Sequence, residues 1–83
     1  MSPKIKNITA MEFIKALEKD GFVFKRQKGS HRIYVKIENG RQVVLAYHHS
    51  GESLRTGTLS NLINDAGWTE DDLIRLKLIR KGN

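Results

Sequence analysis

The spacing of apolar residues changes along the chain, and each change marks an element. Ala10, Phe13, Ile14 and Leu17 recur at helical spacing. Thr9 and Glu12 stand at capping-box separation, Ile8 and Phe13 hold the positions of a hydrophobic staple, and Gly21 supplies a left-handed stop. A helix is therefore predicted from about Ala10 to the glycine, with Lys15, Glu18 and Lys19 on its polar side. After Gly21 the period falls to two. Phe22, Phe24 and Arg26 alternate with Val23 and Lys25, which reads as a short strand. The polar stretch 27–30 reads as a turn. A second strand is predicted over 32–38 and a third from Arg41 to about Tyr47. Asn39-Gly40 between them suits a two-residue hairpin turn, because both residues tolerate positive φ.

A two-residue turn there sets Glu38 opposite Arg41, Val35 opposite Val44, Ile33 opposite Ala46 and His31 opposite His48. In that register Ile33, Val35, Ile37, Val44 and Ala46 share one side with Gln42, and that side is read as the core face. Arg32, Tyr34, Lys36, Leu45 and Tyr47 fall on the other side, which is read as exposed, mixed basic and aromatic.

Beyond a loop over 49–56, Leu59, Leu62, Ile63 and Ala66 form an i, i+3, i+4, i+7 stripe that Gly67 ends. Thr69 and Asp72 repeat the capping-box spacing and open a last helix, read as running through Leu73, Leu76 and Ile79. Lys77, Arg80 and Lys81 suit its C-terminus through the helix dipole. The order is α-β-β-β-α(-α). This predicts an α+β fold with a small antiparallel three-stranded sheet and helices on one face, the general build of double-stranded RNA-binding domains.

Length and charge narrow what such a fold can do. At 83 residues the chain is read as one domain, 1–83, with its core over about 8–79, and a cleft between domains is excluded. The absence of cysteine removes disulfides and thiolate metal sites, and points to no oxidising compartment. Lys4 and Lys6 interrupt the N-terminal apolar residues, so neither a signal peptide nor a membrane anchor is expected, and a cytoplasmic location is. A net charge of +6 favours polyanionic partners through counterion release.

The charge is concentrated. Lys25, Arg26, Lys28 and Arg32 surround Gly29-Ser30-His31, a pattern suited to holding a phosphate backbone that Gly29 lets approach closely. The same cluster also fits a solvated strand end. His31 is the best candidate for proton transfer, because an unperturbed imidazole titrates around pH 6.5. RNA cleavage suits such a residue. The substrate carries its own nucleophile, the 2′-hydroxyl, so a protein need only move two protons and stabilise a phosphorane with cations. His48 and His49 are candidates for the second acid or base. Three histidines with no carboxylate or cysteine at ligand spacing do not make a metal site, and no cofactor is implied.

Several motifs in order carry a resemblance. Gly21-Phe22, Lys28-Gly29-Ser30-His31 leading into Arg-Ile-Tyr, His49-Ser50-Gly51 after the hairpin, Gly57-Thr58-Leu59 and Asp65-Ala66-Gly67 together resemble the HicA family of toxin ribonucleases, from about Ile8 to Leu73. The resemblance implies a fold similar to a double-stranded RNA-binding domain, metal-independent mRNA cleavage, and neutralisation by a HicB-type antitoxin. It carries the catalytic histidine of Gly-Ser-His over to His31. Where the family usually has Val-Pro-x-His, this chain reads Leu45-Ala46-Tyr47-His48-His49, without the proline. Counting to Gly57-Thr58-Leu59 matches His49 to the family histidine, whereas the predicted register favours His48. Two other functions fit the same residues. One is a non-catalytic module gripping duplex RNA through the basic rim. The other is an adaptor that binds a protein through an exposed face of Tyr34, Leu45 and Tyr47.

Overall fold

The computed structural model describes residues 8–79. Helix α1 (Ala10–Lys19) leads into strands β1 (Phe22–Lys28), β2 (His31–Lys36) and β3 (Arg41–Ala46), followed by helices α2 (Thr56–Ala66) and α3 (Glu70–Arg75). The three strands form one antiparallel sheet in the order β1-β2-β3. This is the predicted α+β architecture.

Helix α1 begins as its sequence dictates. The Thr9 hydroxyl accepts from the Glu12 backbone N–H at 3.2 Å, and the Glu12 carboxylate accepts from the Thr9 N–H at 2.9 Å, so two otherwise unpaired donors are met. The helix buries Ala10, Phe13, Ile14, Ala16 and Leu17. Helix α2 stops where predicted. Gly67 has φ 75 and its N–H reaches Asn64 O at 3.0 Å, while the Trp68 N–H reaches Ile63 O at 3.1 Å, a Schellman closure.

The hairpins differ from expectation. The two-residue turn is Gly29-Ser30, joining Lys28 to its partner His31, so β1 continues through Gln27 and Lys28 instead of turning there. Asn39-Gly40 closes a four-residue loop, 37–40, with the Gly40 N–H bonded to Lys36 O at 2.7 Å and the Arg41 N–H to Asn39 Oδ1 at 3.0 Å. Strand β2 therefore ends at Lys36 and β3 at Ala46, and the register slips by two residues. Lys36 faces Arg41, Val35 faces Gln42, Ile33 faces Val44, and His31 faces Ala46 rather than His48.

A slip of two keeps the same residues on the same face, but the covered face is the opposite of the one predicted. Tyr34, Val43 and Leu45 are 2%, 0% and 0% exposed, and join Phe13, Phe22, Leu17, Leu59 and Trp68 in the core. Val23 and Val44 stand on the other face at 46% and 41% exposure, with Ile37 in the loop at 79%; of the residues predicted as core there, Ile33 alone is buried, at 8%. Alternation groups residues by face without saying which face is covered. The two cations on the covered face misled the reading, because both keep their charge at its margin. Lys36 passes Phe22 to reach Asp20 at 3.1 Å, and the Arg32 guanidinium sits over the Tyr47 ring. An adaptor surface of exposed Tyr34 and Leu45 is therefore not available.

The last helix is shorter than predicted. It ends at Arg75, and Lys77 turns the chain with φ 62. Bonds from the Lys77 N–H to Ile74 O at 3.0 Å and from the Leu78 N–H to Leu73 O at 2.9 Å make a second Schellman closure. Leu76, Leu78 and Ile79 are still buried, beyond the helix rather than on it. Arg80 and Lys81 lie outside the described residues.

Candidate functional site

The basic cluster is organised by one turn and one bulge. Gly29 takes φ 59 while Ser30 stays at negative φ, the requirement of a type II′ turn with glycine first. A Cβ at Gly29 would meet nothing within 4 Å, so the glycine is needed for its backbone conformation alone. The turn is held by Gln27 Nε2 donating to Gly29 O at 2.9 Å and by the Tyr47 N–H donating to Ser30 O at 2.6 Å.

His31 starts the central strand, exposed, on the sheet face that no described helix covers. Its cross-strand neighbours are Lys28 on β1 and Ala46 on β3, and the next rung of that face is Arg26, Ile33 and Val44. Neighbours of this kind have Cβ atoms about 4.5–5.5 Å apart. Two cations thus flank the imidazole from one side. The register shift between Phe24 and Arg26 puts them there. Phe22 and Phe24 point to the core side, and strict alternation would send Arg26 and Lys28 after them. The extra residue, Lys25, resets the phase so that both emerge beside His31. Lys25 itself is exposed at the bulge.

Arg32 is not part of this group. It pairs with buried Leu45, so its side chain lies on the helix side of the sheet, opposite His31. Its guanidinium carbon sits 3.8 Å from the Tyr47 ring centroid and 6.0 Å from that of Phe24, and its Nε is buried without a hydrogen-bond partner among the described residues. His48 and His49 are exposed in the loop after β3. The His48 N–H bonds to Glu52 Oε1 at 3.3 Å and the Glu52 N–H to His49 O at 3.2 Å. The loop is in turn pinned to the start of α1, by Ala10 N–H to Glu52 O and Leu54 N–H to Ile8 O, both 2.8 Å. Among the described residues no three His, Asp or Glu side chains gather where a metal ion would be held.

Sequence reasoning missed a carboxylate that fixes the frame behind the site. Asp20 receives Trp68 Nε1 at 2.8 Å, Lys36 Nζ at 3.1 Å and Arg75 at 2.7 Å, with its own side chain only 8% exposed. Burial pushes its pKa up, but the hydrogen bonds from Trp68, Arg75 and Lys36 outweigh burial and hold it below the ordinary carboxylate value. An aspartate just after a helix reads as an ordinary cap, and its partners lie 16, 48 and 55 residues away.

The molecule is thus a small basic α+β domain with one sheet face covered by helices and the other presenting a histidine flanked on its β1 side by two cations. A family model described as the HicA toxin of bacterial toxin–antitoxin systems matches residues 10–68, and the chain belongs to that family. No curated protein matches it. Among the described residues no helix is long and apolar enough to cross a membrane.

Proposed function

We propose that the protein is the ribonuclease toxin of a toxin–antitoxin pair, cleaving mRNA in the cytoplasm without a metal. The rung that sets exposed His31 beside Lys28, with Arg26 on the next rung, is the observation that carries this reading. Lys25, Arg26 and Lys28 hold the phosphate backbone, and the Gly29-Ser30 turn lets it come close. The 2′-hydroxyl attacks the adjacent phosphorus, the bond to the 5′-oxygen breaks, and a 2′,3′-cyclic phosphate and a 5′-hydroxyl remain. His31 takes the 2′-hydroxyl proton or returns one to the leaving oxygen, and the cations stabilise the phosphorane. His48 or His49, on the loop that follows the strand beside His31, supplies the second proton carrier.

The partner is a HicB-type antitoxin, a small acidic protein encoded in the adjacent reading frame. Induction of this chain alone should arrest growth, co-expression of that frame should restore it, and His31→Ala should be harmless at equal soluble expression. Normal growth with abundant, folded parent protein would instead support a module that binds RNA without turning it over.

A further inference from the structure

We propose that the groove between α1 and the sheet is a nucleobase subsite of the same protein, selective for guanine; this rests on the RNA reading above. The groove has a volume of about 310 Å³, the small end of ligand pockets and room for one base. Met11, Ile14, Phe24 and Tyr34 form its apolar part, Lys15 and Glu18 line it from α1, and Arg32 lines it from β2.

Three features fit a base better than an apolar side chain. Phe24 is 51% exposed and is the one exposed aromatic among the described residues, although it stands on the core side of the sheet. An exposed ring on an edge strand is a stacking platform that any base face can use. It is held edge-on to Tyr34, with ring centroids 5.7 Å apart and planes at 69°. The Arg32 guanidinium carbon stands 3.8 Å from the Tyr47 ring centroid, a contact that leaves its N–H groups to donate, and its Nε has no acceptor among the described residues. Keeping a buried donor unmet is unfavourable, and an entering carbonyl relieves it.

The polar groups select the base. A guanidinium edge matches the O6 and N7 acceptors of guanine, and a carboxylate such as Glu18 matches its N1–H and N2–H donors. Adenine and the pyrimidines do not offer both patterns. The path from one face to the other is also present. β1 is a sheet edge, with Phe24 on the groove side, Arg26 on the His31 side, and the bulged Lys25 between them. A single RNA strand crossing that edge places one base in the groove and a neighbouring phosphate at His31.

The test uses His31→Ala protein, so that RNA is bound without turnover, and short uridine-rich oligonucleotides carrying one G, A, C or U at the same position. The G oligonucleotide should bind tightest. Phe24→Ala should weaken it about 5- to 150-fold, the loss of one stacked base. Phe24→Leu, which keeps an apolar side chain and guards against misfolding, should weaken it too, and Glu18→Gln should narrow the gap between G and the others. Equal affinity for all four oligonucleotides, or unchanged affinity in both Phe24 variants, overturns the subsite while leaving the basic rim intact. Phe24→Ala that impairs only antitoxin binding makes the groove a protein-docking site and overturns it as well. Parent protein with no RNA affinity at all sinks this proposal together with the reading it rests on.

Discussion

Lys77 holds a position where helices commonly place glycine. At φ 62 it closes the Schellman turn after α3, and a non-glycine residue there costs about 1–2 kcal/mol. Glycine would remove that strain but give back about 0.5–1 kcal/mol through its freer unfolded chain. Lys77→Gly should therefore stabilise the protein by about 0.5–1 kcal/mol, read as a rise of a few degrees in Tm. An unchanged or lower Tm would mean that the lysine makes a compensating contact. At Gly29 the sign is reversed. Gly29→Ala forces an alanine to φ 59 and, after the same offset for the freer glycine chain, should lower stability by about 0.5–1 kcal/mol, with no steric clash to relieve. Denaturant midpoints of the two variants should move in opposite directions. Gly29 was legible from the sequence as a glycine among cations. Lys77 was not, because every other left-handed residue among those described is a glycine.

Between elements, Asp20 links the end of α1 to β2, to Trp68 and to α3. Its folded pKa is lowered, so the stability it contributes is fully present above the unfolded carboxylate value of about 3.9 and is lost as pH falls through the lower folded value. The parent protein should lose Tm steeply below about pH 4. Asp20→Asn should start less stable at pH 7, by about 1.5–3 kcal/mol for the charged hydrogen bonds removed, and then lose less on acidification. An equally steep acid limb in the variant would place the titrating group elsewhere. Elements fixed by local chemistry were readable in the sequence. The Thr9 and Thr69 capping boxes and the stop at Gly67 all form where their spacing puts them. The hairpins were not, because Asn39-Gly40 and Gly29-Ser30 are both good turns, and the choice of covered face is made by distant partners such as Trp68 and Asp20. The bulge at Lys25 was invisible for the same reason. One extra residue leaves no mark on composition, yet it decides which cations stand beside His31.

Across the whole molecule, the proposed function assigns net charge to bringing RNA close, the open sheet face to orienting it, and His31 to acting on it. Affinity should fall steeply with salt. Each of Lys25, Arg26 and Lys28 replaced by Ala should lower the log–log slope by roughly 0.7 to 0.9, with similar losses for every RNA sequence. Arg32→Ala should leave that slope nearly unchanged, since its guanidinium lies on the other side of the sheet. A slope that drops for Arg32 and not for Arg26 would invert the assignment of the two faces. The central claim is proton transfer by His31, and the most direct measurement is RNA cleavage by parent and His31→Ala proteins, with and without EDTA. Circular dichroism and RNA affinity should be recorded on the same preparations. The parent should cleave equally well in EDTA, and the folded variant should bind RNA as the parent does while its rate falls on the order of 10² to 10⁴. A folded His31→Ala protein that cleaves at the parent rate, or a parent rate abolished by EDTA, would contradict the account.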